Sequence, residues 1–376
     1  MNRSVLPFGT WLVAVLLLSG VAPRGNAAYL EGEGESPEAP RERIIRPEPE
    51  PPDGNAVLRL IRRVEVGVPY TYRGLIVYPV ILPGGADSSG IRTLDEALDR
   101  GWIVVSEREE ARVAELRVRN DSTHYVLLLA GEILAGGKQN RFVREDVLLA
   151  PQSGFVAVPV YCGERERWRG PTETFLSPQT LVHPQLRKSA AAGASQDAIW
   201  REIDAVSERA SVNSPTRDYQ QVYESDRVRA RLDECVAGFR RFCRGDTVGL
   251  VVAAHGRIVG ADLFADPALF ARLSGKLLRS YALDEALEES DRQFGVSRES
   301  ARDFLDRALS ARFTDRSTPG AGRLWDITGA IDGTALAWDG RAVHVNLFAE
   351  RAYIAPSPQP QPRPFWPPWP LGHRGE

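Results

Sequence analysis

Tyr125-Val126-Leu127-Leu128-Leu129 leads into Gly131-Glu132-Ile133-Leu134-Ala135-Gly136-Gly137-Lys138-Gln139-Asn140-Arg141. Two apolar runs follow, Val147-Leu148-Leu149 and residues 155–160. Short apolar runs on either side of a glycine-bearing polar turn read as strand, turn, strand, strand. Gly136 and Gly137 let the backbone take positive φ and approach a ligand or another strand closely. Successive N–H groups in such a turn form a concavity that suits anions. Lys138 and Arg141 add positive charge, while Gln139 and Asn140 both donate and accept. A small anionic ligand fits this inventory. The turn is not a P-loop, because the Gly-x4-Gly-Lys-Ser/Thr spacing is missing and no helical pattern follows. The competing reading of the same residues is a hairpin turn with a solvated polar tip.

Just beyond lies Tyr161-Cys162-Gly163-Glu164-Arg165-Glu166-Arg167-Trp168. Arg167 has the fork geometry for a phosphate, and Trp168 offers a face on which a planar ring can stack. A solvated charged loop accounts for the pair equally well. Glu132 and Glu164 are two carboxylates that can do acid–base work if pairing strands bring them together.

Working outward, the N-terminal half continues as strands. Residues 64–68, 75–82, 102–106 and 113–118 are short and rich in β-branched or aromatic side chains. One short helix interrupts them, capped by Thr93 and ending near Gly101. From Gln196 the apolar period becomes helical. Ser195 caps a helix with Ile199, Ile203 and Val206 on one face. A second helix carries Leu232, Val236, Phe239 and Cys243. Residues 247–253 and 258–263 read as a hairpin about His255-Gly256. Asp266-Pro267 opens a helix through Leu273, Leu277 and Tyr281, and Ser297 precedes another. Strands are expected at 324–331 and 342–348. The expected fold class is α+β: a mostly antiparallel sheet, sandwich- or barrel-like in its N-terminal half, with helices inserted between sheet halves.

The chain of 376 residues is 43% apolar and 26% charged, enough for one large domain, assigned to residues 55–350. A net charge of -3 gives no basic field for nucleic acid. Residues 1–28 have the form of a secretory signal: Arg3, an apolar run at 11–18, and small residues before a cut after Ala27 or Ala28. Export to the periplasm or medium is therefore expected, with no membrane span once the signal is cleaved. Residues 29–54 are a Glu/Pro-rich linker and 351–376 a Pro/Trp-rich tail, both expected to be disordered. Residues 356–376 are the candidate contact for a cell-envelope partner.

Export permits disulfides among Cys162, Cys235 and Cys243. Cys235 and Cys243 fall eight positions apart in one expected helix, about 12 Å along its axis, which is too far to bridge. His124, His183, His255 and His344 are scattered without metal-ligand spacing, so no zinc site is expected. No Gly-x-Ser-x-Gly elbow occurs, and the sequence leaves the cofactor unknown.

The residues from Gly131-Glu132 through Arg141, Pro159-Val160-Tyr161-Cys162 with Arg167-Trp168, and Ile199-Trp200 with Ile203 together resemble the bacterial ARG and Rhodanese-Phosphatase-superfamily-associated domain family. Residues 259–264 and 276–284 resemble it too, so the likeness covers about residues 57–349. The resemblance implies no established activity and no agreed catalytic residues. Through the family's name it implies a context of NAD-derived or ADP-ribose ligands. The expectation is an anionic, nucleotide-like ligand held by Gly136, Gly137, Lys138, Gln139, Asn140, Arg141, Arg167 and Trp168, with Glu132 or Glu164 as acid or base. The alternative is a non-catalytic envelope module that acts through its surface and tail.

Overall fold

The computed structural model describes residues 55–86, 88–107, 114–167, 174–239, 241–288 and 295–349. The expected signal, linker and tail, together with Trp168, lie outside the described residues.

Asn55 caps α1 (Ala56–Arg63) by accepting from the Val57 N–H. β1 (Glu65–Val66), β2 (Tyr70–Tyr72) and β3 (Leu75–Ile81) follow. β4 (Arg92–Thr93) runs into α2 (Leu94–Asp99), where Thr93 and Glu96 form a reciprocal capping box. Next come β5 (Ile103–Ser106), β6 (Glu115–Asn120), β7 (Val126–Leu128), β8 (Ile133–Gly136), β9 (Arg141–Val143), β10 (Val147–Leu149), β11 (Phe155–Cys162) and β12 (Phe175–Leu176). A helical stretch holds α3 (Pro184–Ala191), α4 (Gln196–Ala210), α5 (Gln220–Glu224) and α6 (Asp226–Gly238). The hairpin β13 (Thr247–Ala254) and β14 (Arg257–Leu263) precedes α7 (Pro267–Leu287) and α8 (Arg298–Asp306). β15 (Arg312–Arg316), β16 (Arg323–Thr328), β17 (Asp332–Trp338) and β18 (Arg341–Phe348) complete the series.

The fold is α+β and mostly antiparallel. One large sheet has the order β1-β3-β13-β14-β18-β17-β16-β15, with β2 on β3. The N-terminal half adds a barrel-like sheet, β12-β8-β9-β11-β6-β5, and a short one, β10-β7-β4, whose β4–β7 pairing is parallel. β13 is buried along its whole length because both of its faces are covered. Val248, Val251 and Ala253 meet α1 and α8, while Leu250 and Val252 meet the α7 side. A third core fills the barrel-like half with Leu116, Val118, Leu128, Leu134, Val143, Val147 and Val158.

Three readings of the sequence need correction. α1 is a helix inside a region read as mainly β; its Val57, Leu60 and Ile61 stripe is only two turns long and abuts a Pro-rich stretch. β15 was not expected, since Arg312-Phe313-Thr314-Asp315-Arg316 is mostly polar and half-exposed, and β17, buried from Gly333 to Leu336, was not expected either. α6 stops at Gly238, so Cys243 lies beyond it and the two cysteines do not share a helix.

Candidate functional site

Glu132 and its neighbours form a buried polar network that joins the two halves of the domain. Gly131 has φ +94°, and a Cβ there would press on Arg187 Cγ at 2.9 Å, so the long stem of Arg187 can lie along the backbone only at a glycine. Glu132 follows, 1% exposed. Its Oε2 accepts the Leu129 N–H at 2.8 Å, and Lys276 Nζ of α7 donates to its Oε1 at 2.6 Å. The same ammonium lies 2.6 Å from Asp95 Oδ2 of α2. Burial pushes the Glu132 carboxyl up. Burial opposes the charge on Lys276, but Glu132 and Asp95 outweigh it and raise that pKa.

Asp262, in β14, is the centre of the second part of the network. It accepts from both terminal nitrogens of Arg187, from Tyr281 Oη at 2.6 Å and from Asn346 Nδ2 at 3.1 Å, and it faces His344 Nε2 at 2.9 Å. Burial would raise its pKa; the Arg187 charge and these hydrogen bonds hold it well below the usual carboxylate range. His344 meets Asp146 Oδ2 through Nδ1 at 2.6 Å. With a carboxylate on each nitrogen the ring holds both protons, and its pKa is pushed up to about 9 even though burial works the other way. The network has acids, bases and charge, but each group is already partnered inside the protein.

The glycine-rich turn is a second cluster. Asn140 Oδ1 accepts from the Gly136 N–H at 2.9 Å and from Arg167 Nη2 at 3.0 Å, while its Nδ2 donates to Asp218 at 2.9 Å. Glu164 accepts from the Asn140 N–H at 3.1 Å and from Arg167 Nε. Arg167 Nη1 donates to the Gly137 carbonyl. Arg141 is 4% exposed and donates to Gln139 Oε1 at 2.7 Å, to Cys162 Sγ at 3.1 Å and to Glu107. Gln139 in turn donates to the Arg165 carbonyl. Burial lifts Asp218 to about 6 and raises the Cys162 thiol.

The turn is therefore neither a solvated tip nor an open anion cradle. Gly136, Gly137, Gln139, Asn140, Arg141, Glu164 and Arg167 come together and bind one another. Lys138 is the exposed member, tied by its backbone N–H to Glu107. Glu132 and Glu164 belong to different clusters, each engaged by its own cation.

A cavity of about 220 Å³ opens elsewhere, at the start of α7, lined by Ser89, Asp266, Leu269, Trp338, Asp339 and Arg341 among others. Asp266 caps α7 through the Ala268 and Leu269 N–H groups and accepts from the Ser89 N–H and hydroxyl. Trp338 leans on Tyr125, with ring centroids 4.2 Å apart. The sequence held a signal for part of what was missed. Lys276 sits among Leu269, Leu273, Leu277 and Tyr281 on a buried helix face, and Asp262 sits inside an apolar strand. A charge at a core position needs a partner. Trp338 beside a β-turn carries no comparable sign.

A family model for the ARG and Rhodanese-Phosphatase-superfamily-associated Protein domain, ARPP-1, matches residues 63–348. The chain belongs to the ARPP-1 family. The matched span runs from the end of α1 to the last residue of β18, so the ARPP-1 unit includes all three sheets, both polar clusters and the cavity. No curated protein and no solved structure matches the chain. Among the described residues no helix is long and apolar enough to cross a membrane.

Proposed function

We propose that this ARPP-1 domain is a small-ligand binding module, and that its ligand sits in the cavity at the start of α7. The observation that carries the reading is the combination of Trp338, Ser89, Asp339 and Arg341 around about 220 Å³ of space. Binding sites pair an apolar wall with a few convergent polar groups, and usually span about 300–1,000 Å³. This one falls just below that range. It suits a single ring with its substituents, such as a nucleobase, a nucleoside fragment or a monosaccharide. A dinucleotide such as NAD would place one moiety inside and leave the rest outside.

The glycine-rich turn is the other candidate for the same anionic, nucleotide-like ligand. Its side chains hold each other, so a ligand there would have to displace internal hydrogen bonds. Thermal shift of the domain with ADP-ribose, NAD, nucleosides and monosaccharides separates the two. A ligand at about 100 times its Kd adds roughly 2.7 kcal/mol. The reading expects such a shift, and its loss in Trp338→Ala. A shift that survives Trp338→Ala and disappears in Lys138→Ala moves the site to the turn. No shift with any of these ligands overturns the binding reading. Export remains part of the proposal, supported by Arg3 and the apolar run at 11–18. Fractionation of cells expressing the full chain tests it, and retention in the cytoplasm refutes it.

A further inference from the structure

The outer face of β5, β6 and β11 is built differently from the rest of the barrel-like half. Leu116 and Val118 of β6 point into the third core, so Arg117 and Arg119 point out. Pairing sets Phe155 opposite Arg119 on β11 and Ser106 opposite Arg117 on β5. Phe155 is 41% exposed, one of three exposed large hydrophobics among the described residues. Both guanidinium groups rest over its ring, Arg117 at 4.2 Å and Arg119 at 4.9 Å. The motif recurs nearby, where Arg100 lies 4.7 Å over the Trp102 ring.

A guanidinium laid on an aromatic ring keeps its N–H edge free and loses rotamer freedom before any partner arrives. Arg119 shows what such an edge takes. Its Nε donates to Asp121 Oδ1 at 2.7 Å and its Nη2 to Oδ2 at 2.8 Å, a bidentate carboxylate fork. Arg117 rests on the same ring, is exposed, and makes no ion pair among the described residues. We propose that this face docks a carboxylate-bearing peptide segment of a protein partner, with Arg117 gripping the acid as Arg119 grips Asp121 and Phe155 meeting an adjacent apolar side chain. Aromatic and arginine side chains dominate the energetics of protein interfaces. A polyphosphate chain is the weaker match, because it has no apolar group to meet the exposed Phe155 ring. The inference does not depend on the cavity.

The test is fluorescence anisotropy of the full chain with a labelled peptide of alternating Glu and Val, at low and at 0.3 M salt. Saturable binding is expected, weakened by salt and by about tenfold or more in Arg117→Ala and in Phe155→Ala. Arg117 is exposed, so melting of its variant should match the parent and confirm that the fold is kept. No saturable binding, or binding that Arg117→Ala leaves unchanged, overturns the proposal. So does binding of an oligothymidylate or of phosphatidylglycerol vesicles in place of the peptide.

Discussion

His344 Nδ1 lies 2.6 Å from Asp146 Oδ2, which ties β18 of the large sheet to the turn between β9 and β10 in the barrel-like half. The other nitrogen faces Asp262 at 2.9 Å. An imidazole between two carboxylates is held as imidazolium, so the junction between the halves depends on one proton.

That dependence sets the pH profile. The folded pKa of His344 is about 9, above its ordinary 6.5. A raised basic group contributes its full stability below the unfolded pKa and loses it as pH rises through the folded one. Urea unfolding should show stability falling between about pH 6.5 and pH 9, by roughly 3 kcal/mol. His344→Gln should start less stable and be flatter over that window. The acid side runs oppositely through Asp262, whose depressed pKa makes its contribution present above the ordinary aspartate range and lost as pH falls below it. An equally steep alkaline limb in His344→Gln would place the titrating group elsewhere.

Lys276 gives a second prediction. Its ammonium is 2.6 Å from both Glu132 and Asp95, and it holds α7 to α2 and to the turn before β8. Lys276→Met leaves two carboxylates facing a methyl group, one of them fully buried. Removing one partner of a buried pair costs about 3–5 kcal/mol, whereas replacing both by apolar groups is often neutral. Denaturant titration should therefore find Lys276→Met strongly destabilised and Lys276→Met with Glu132→Leu partly restored. A double variant weaker than the single would refute the pairing as the cause.

Much of the fold was legible because its elements carry local punctuation. Thr93, Ser195, Asp266 and Ser297 each cap a helix by accepting a backbone N–H, at the positions where the sequence marks a start. β13 and β14 are long, apolar and joined at His255-Gly256. β15 escaped notice because a half-exposed edge strand needs no apolar alternation. The candidate residues were legible as special but not as partners. Asn140 and Asp218 are 78 positions apart, and Glu132 and Lys276 are 144 apart. Such meetings are set by topology, which spacing along the chain does not encode. The cavity was illegible for the same reason, since loop, turn and helix start converge on it from three distant segments.

The turn itself yields a third prediction. Gly136 has φ +136°, and a Cβ there would collide with the Thr174 carbonyl. Gly136→Ala should lose about 2 kcal/mol or more through strain and displacement of β12. Asn140→Ala removes three side-chain hydrogen bonds from a buried position and should cost about 2–4 kcal/mol. Lys138→Ala should stay within about 0.5 kcal/mol of the parent. Thermal melts of the three variants check the ranking, and an Asn140→Ala melt equal to that of Lys138→Ala would mean that the cluster does not hold the turn.

The cysteines supply the last prediction. Cys162, Cys235 and Cys243 are all free thiols. A thiol reacts as its thiolate, so burial protects twice, by blocking access and by raising the pKa. Burial pushes Cys235 up to about 12, with Glu285 adding to the shift, and it raises Cys162 and Cys243 as well. Arg141 beside Cys162 pulls the other way without reversing the effect. Ellman's reagent at pH 8 should therefore label the native protein slowly, with half-buried Cys243 first, and should label three thiols once urea unfolds the chain. Rapid native labelling of Cys162 would mean that the Arg141 side of the barrel opens in solution. Fewer than three thiols in urea would mean that a disulfide forms in the protein as isolated, and would exclude the free-thiol state.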